Sequence, residues 1–267
     1  MTNLISRLVV AAVALPAVIG LVWLGGAWLF AGLAFAIVLG VHEYVRLVRA
    51  LRPVTLAAHL GALGLLVAAT FGGVEWLPAA IAATLALAFV LQGLAGTRAP
   101  ATVALSSTLL GATWIGVGLA SLYLLREDVE RGRLVLLTVL LADFAANTAA
   151  YVAGRLVGRH KLAPVISPGK TWEGFAAGVL AAVAVAFFAL YEDRDSFLPI
   201  WEALVLGAVV ALAGALGDLF QSMLKRDMHV KDTGHLLGGH GGMLDRVDSI
   251  LFAAPAAFYV LLAYAVV

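Results

Sequence analysis

Long apolar runs alternate with short polar breaks along the chain, and the runs match the length of a bilayer crossing. A helix needs about 20 apolar residues to traverse the hydrocarbon core. Runs of this kind cover approximately residues 8–24, 27–45, 55–73, 77–95, 102–125, 134–154, 172–191, 201–220 and 249–267. The pattern predicts an all-α, polytopic membrane protein of about nine transmembrane helices, the first two joined by a turn near Gly25. The first stretch has Arg7 ahead of an apolar core but shows no small-x-small cleavage site before Ala27, so it reads as a retained span. With no internal repeat and no low-complexity linker, one membrane domain over residues 1–267 is the economical division. Within it, residues 1–125 form scaffold, dimer surface or lipid guide, and residues 130–267 carry the polar chemistry.

Composition agrees with lipid as the main solvent. The chain of 267 residues is 63% hydrophobic and 12% charged, against about 25% charged for a globular norm, and its mean hydropathy is +1.03. A formal net charge of +1 gives no reason to expect a nucleic-acid partner. The absence of Cys excludes disulfides and thiolate metal sites. Placement of charge matters more than its sum. With the N-terminus cytoplasmic, 13 of the 17 Lys and Arg residues fall on the cytoplasmic side, leaving Arg126, Arg131, Arg133 and Arg194 outside.

One polar stretch, "KRDMHVKDTGHLLGGHGGMLDRVD" from Lys225 to Asp248, concentrates charge, glycine and histidine between oily segments. Asp218 closes the preceding apolar run, and Ser222 and Lys225 at i+4 and i+7 share its helix face. Asp245 and Asp248, three apart, are expected on one face at the start of the last helix. Between them and Asp218 lies "GGHGG", Gly238 to Gly242, where backbone N–H groups can approach a ligand closely. Carboxylates gathered at a membrane surface call for a cation, and oxygen-only ligands suit Mg²⁺ with substrate phosphates. Lys225, Arg226, Lys231 and Arg246 offer charge to a polyphosphate. Together these features indicate phosphoryl or nucleotidyl transfer on the cytoplasmic face. A solvated loop that only sets topology would explain the basic residues but not three Asp at helix ends, where an intramembrane Asp costs about 2.5–3.5 kcal/mol.

A second basic cluster, "GRLVGRHKLAPVISPGKTWEG" from Gly154 to Gly174, precedes the seventh apolar run. Its "PGKT" fails as a phosphate-binding P-loop, because Pro164 stands where Gly is required. We expect Ser167 to cap the seventh helix and Pro168 to take its first turn, with Lys170 and Thr171 beside an anion-binding helix end. Glu173 in the first turn is also favoured by the helix dipole. His42 and Glu43 do not begin a zinc motif, since Arg46 occupies the second histidine position.

The pattern S-M-L-K-R-x4-K-D-x-G-x2-L-G-x-H-G-G-M-x-D-R-V-D, Ser222 to Asp248, resembles the signature of the phosphatidate cytidylyltransferases. "HKLAPVISPGKTWEG" is similar to that family's second motif, and "HEYVRLVRA" near the second helix is a fainter likeness. The resemblance implies CTP and phosphatidic acid as substrates, CDP-diacylglycerol and pyrophosphate as products, and a homodimer in the bacterial inner membrane with a cytoplasmic site. It implies Mg²⁺, with a second, monovalent cation such as K⁺. Asp218, Asp245 and Asp248 become the implied metal residues. Lys225, Arg226, Lys231, Asp232, His240 and Arg246 join them as implied catalytic residues, His240 orienting a phosphate or moving a proton. Tyr151, Ser167, Lys170, Thr171, Glu173, Ser222, Gly241 and Gly242 become implied substrate contacts. One departure stands out: the family has Asp-x-x-Ala-Tyr where this chain reads "NTAAY", with Asn147 in the Asp position and Asp143 one turn earlier. Two other readings remain: a CTP-dependent lipid-alcohol kinase, and an ion-coupled transporter using Asp143 and Asp218.

Overall fold

The computed structural model describes residues 14–95, 100–230, 232–234 and 242–267. Expectations resting on Arg7, Arg98, Lys231, His240 and Gly241 lie outside the described residues. Among the described residues, eight helical stretches are long and apolar enough to cross a membrane. The chain is an all-α, polytopic membrane protein. A shorter apolar helix, α1 (Ala14–Leu24), precedes them, and Gly25 at φ 64° separates it from α2 (Gly26–Leu47). A positive φ of this kind is cheap only for Gly, which is why the turn falls there.

The chain divides into two compact units. The first holds α1, α2, α3 (Thr55–Gly72), α4 (Leu77–Leu94) and most of α5 (Ala101–Glu127), together with residues Val230–Val247. Small residues set its packing. A side chain at Gly116 would meet Ala62 and Leu65, one at Gly61 would meet Thr84, and one at Gly111 would run into the Tyr44 ring. Tyr44 is fully buried and donates its hydroxyl to the Ser107 carbonyl at 2.7 Å. Such close backbone approach is the usual basis of helix association in lipid.

The second unit runs from Leu125 to His229 and from Asp248 to the C-terminal residue. It contains α6 (Gly132–Leu156), a two-stranded hairpin β1 (Lys161–Ala163) and β2 (Ser167–Thr171), α7 (Trp172–Leu190), α8 (Ile200–Asp227) and α10 (Ile250–Ala263). A Cβ at Gly178 would press on the Ala146 carbonyl of α6, and one at Gly207 on Ala182 and Val183 of α7. These glycines let α6, α7 and α8 meet backbone to backbone.

Three sequence expectations change here. Ser167 does not cap α7 and Pro168 does not open it: both lie in β2, paired antiparallel to β1 with Lys161 opposite Thr171 and Ala163 opposite Ser167. The cap is Thr171, whose hydroxyl oxygen accepts from the Gly174 N–H at 3.1 Å. Asp218 is not at a helix end, because α8 continues through the basic residues to Asp227. Asp245 and Asp248 do not share a helix face: Asp245 lies in a one-turn helix, α9 (Leu244–Val247), which ends before Asp248, and α10 starts only at Ile250. The last apolar run is thus broken at Asp248–Ser249, where the Asp248 carboxylate accepts from the Ser249 N–H at 2.9 Å.

Candidate active site

Unit 2 collects polar groups around the middle of α8. Gly214, one turn before Asp218, and Gly217, next to it, leave room for two neighbours. At Gly214 the neighbour is the Asp143 carboxylate from α6; at Gly217 it is the backbone of Asp248 and Ser249, with Phe252 beyond. Asp143 is buried. Its Oδ2 accepts from the Ser249 hydroxyl at 2.7 Å and lies 3.5 Å from the Asn147 amide, which also donates to Ser249 at 3.1 Å. Its Oδ1 is buried without a hydrogen-bond partner in the structure. Asp218 acts on it electrostatically as a second negative charge.

Asp218 pairs with Lys170 of β2 at 2.7 Å, and Ser222 one turn on lies 3.4 Å from its other oxygen. Lys170 also reaches the Ala215 carbonyl at 3.5 Å. The hairpin therefore lays its lysine along α8 rather than leaving it at a helix end. Glu173 holds the hairpin closed: its carboxylate accepts from the His160 N–H at 3.2 Å and meets the His160 ring nitrogen at 2.6 Å. Thr171 is buried in a slot where side chains at Gly154 or Gly158 would collide with it. Tyr151 is exposed, its hydroxyl accepting from Arg155 at 3.0 Å. Lys225 is half-buried on α8; Arg226 is exposed and donates to the Ile166 carbonyl of the hairpin turn at 3.3 Å.

Asp245, Arg246, Asp232 and Gly242 belong to unit 1. Asp232 and Arg246 are exposed. Asp245 Oδ2 accepts from the Thr233 N–H at 3.0 Å, the Thr233 hydroxyl at 2.9 Å and the Gly242 N–H at 3.0 Å. That carboxylate therefore organises a loop. Within neither unit do three or more His, Asp or Glu side chains, among the described residues, lie close enough to share one metal ion. A hard divalent cation does not need three. Mg²⁺ is commonly held by one or two carboxylates, with waters and substrate phosphates filling the rest. The donor set of unit 2 fits such an ion: it is all oxygen, and Asp143 Oδ1 is a buried acceptor with nothing to accept from. Leaving such a group unsatisfied costs about 1–3 kcal/mol, more if it is charged.

The sequence model of the cytidylyltransferase family matches residues 5–264. The chain belongs to the cytidylyltransferase family. As a cytidylyltransferase-family chain it is 42% identical over 147 residues to the phosphatidate cytidylyltransferase of Staphylococcus haemolyticus (strain JCSC1435). Identities to the proteins of the same name from Staphylococcus epidermidis (strain ATCC 12228 / FDA PCI 1200) and Staphylococcus aureus (strain COL) are 41% and 40%, each over 147 residues. Each match covers 55% of this chain and 55% of the relative, so the chain spans about half the length of the curated relatives it matches.

Sequence reasoning overlooked Glu43, Thr233 and Ser249. Ser249 adjoins the signature and carries an ordinary polar side chain at a helix start, so nothing marks it. Glu43 was visible as a carboxylate inside an apolar run, within "HEYVRLVRA"; an intramembrane acid is costly enough to be a signal in itself.

Proposed function

We propose that this cytidylyltransferase-family chain is a phosphatidate cytidylyltransferase, transferring CMP from CTP to phosphatidic acid with release of pyrophosphate. The observation that carries the reading is the Lys170–Asp218 pair beside the buried Asp143 carboxylate, cationic and anionic groups that β2 and α6 bring against α8. A triphosphate needs both: ammonium for its oxygens, and carboxylate for the cation that accompanies it.

A phosphate oxygen of phosphatidic acid attacks the α-phosphorus of CTP, and the bond to the β-phosphate oxygen breaks as pyrophosphate leaves. Phosphatidic acid is anionic at neutral pH, so no strong general base is needed. Lys170, with Lys225 and Arg226 at the end of α8, would bind phosphate oxygens and stabilise charge on the departing pyrophosphate. Asp143 and Asp218, with Asp248 adjacent, would hold Mg²⁺, which when bound offsets charge on the triphosphate. Asn147 and Ser249 fix the Asp143 carboxylate through hydrogen bonds. The acyl chains would stay in lipid while the head group meets the nucleotide. The setting we infer is a homodimer in a bacterial inner membrane with the site on the cytoplasmic side, which the bias of Lys and Arg supports.

The test uses purified chain with Mg²⁺, phosphatidic acid and CTP labelled at the α-phosphorus, with and without K⁺. Label should enter the lipid, and Asp248→Asn should cut the rate by about 10²-fold or more. A parallel assay pairs CTP labelled at the γ-phosphorus with a polyprenol or phytol; label entering that alcohol, with none passing from the α-position to phosphatidic acid, would make the chain a lipid kinase instead.

A further inference from the structure

Glu43 lies on α2, in the part of the chain with the weaker likeness to any motif, yet it is only 2% exposed. Both of its oxygens are engaged. Oε1 accepts from the Met243 N–H at 2.8 Å and Oε2 from the Leu244 N–H at 2.8 Å. These amides begin the "MLDR" turn that leads to Asp245 and Arg246. The same carboxylate also crosses to the other described flank of the signature: Thr233 Oγ1 lies 3.5 Å from Oε2, and a Cβ at Gly234 would come within 2.9 Å of Oε1. A Cβ at Gly242 would collide with Oε2. Two signature glycines thus have a reason that is not ligand approach. Any larger residue there would expel the Glu43 head.

The structure assigns to Glu43 the anchoring of the signature segment: a membrane-helix carboxylate that ties residues 233–234 and 242–244 together and so positions Asp245 and Arg246. Asp245 completes the arrangement from the opposite side, accepting from Thr233 and from Gly242. A carboxylate suits this task better than an amide. It offers acceptors on both oxygens, as two converging N–H donors require, and charge-assisted bonds are the stronger kind. Glu43 does not touch substrate in this arrangement. It is a positioning residue; its part in catalysis rests on the reaction proposed above and on Arg246 meeting the triphosphate there, as its charge in the signature predicts, whereas the anchoring itself rests on neither.

The experiment follows amide hydrogen exchange at Met243 and Leu244 in the full-length protein in detergent, alongside kcat and KM for CTP. The variants are Glu43→Gln, Glu43→Ala and Gly242→Ala. Exchange at both amides should quicken in the order wild type, Gln, Ala, by about tenfold or more in Ala, while peptides of α3 and α4 stay unchanged. Because Gln fills the same space, a role in packing alone predicts that Gln behaves as wild type. kcat should fall by about 10²-fold, the scale expected for misplacement by an ångström, and Gly242→Ala should add little to the Glu43→Ala loss. Unchanged exchange in both Glu43 variants overturns the anchoring. Faster exchange with normal kcat overturns the positioning role. A wild-type chain that transfers no CMP sinks the proposed reaction, and the exchange data then judge the anchoring alone.

Discussion

Asp143 is the residue whose surroundings ask most for explanation. It sits within α6, against Gly214, with one oxygen bonded to Ser249 and the other bare. Asn147, one turn on, points its amide to the same cluster. An amide there can donate where a carboxylate cannot, so Asn147 supports Asp143 instead of competing with it for a cation. We expect Asp143→Asn to lower CTP turnover by about 10²-fold and to weaken its dependence on Mg²⁺. Asn147→Asp added to Asp143→Asn should recover part of that loss. Turnover unaffected by either change would remove this face of α6 from the site. The sequence made this much legible, because Asp143 and Asn147 are four apart and Ser222 stands the same distance from Asp218. Ser249 was not legible. Its partner lies 106 positions away, and no local spacing encodes a contact made only when α6 and α10 pack.

Among elements, the helices were readable and the hairpin was not. Apolar length defines a span whatever its neighbours are, so the boundaries of most helices follow the hydropathy closely. The five residues "SPGKT" carry no strand pattern: they lack alternation and contain both Pro and Gly. They become a strand because Lys161–Ala163 pairs with them, a matter of register more than of propensity. Ser167 looked like a cap for the same reason that Thr171 is one, since both carry the required hydroxyl. The helix seams were foreshadowed only in composition, by 28 Gly in the chain. Which glycines matter follows from packing. Gly207→Leu should strain the α7–α8 seam by about 1–3 kcal/mol, the usual range for overpacking. Gly64→Leu, whose added Cβ would meet no neighbouring element within 4 Å, should strain nothing. Thermal melting in detergent would separate the two, with a drop of about 2–4 °C per kcal/mol expected for Gly207→Leu alone. Equal melting points would mean that α7 and α8 do not touch as described.

For the molecule as a whole, hydropathy gave the class and charge an expected direction across the membrane, but nothing local in the sequence assigned the segment after α8 to the first unit. Thr233, Met243 and Leu244 follow α8 in sequence yet pack with α2, because Glu43 is their partner. Orientation can be checked on unit 2. At 28 residues, α8 is about 42 Å long, more than the roughly 30 Å of a bilayer core, so its two ends emerge on opposite sides. With no native Cys to interfere, Asp195→Cys and Asp227→Cys can each be probed by a membrane-impermeant maleimide. Right-side-out vesicles should label the first and inside-out vesicles the second; the reverse would put the signature on the outer face.

The Lys170–Asp218 contact carries one more implication. An ammonium that neutralises a carboxylate also masks it, so any anion that draws Lys170 toward itself uncovers Asp218 for a cation. Negative and positive guests would then recruit each other, and by thermodynamic reciprocity each would raise the other's affinity by the same factor. A nucleotide arriving without its counter-ion, or an ion arriving alone, would meet a surface already satisfied with itself.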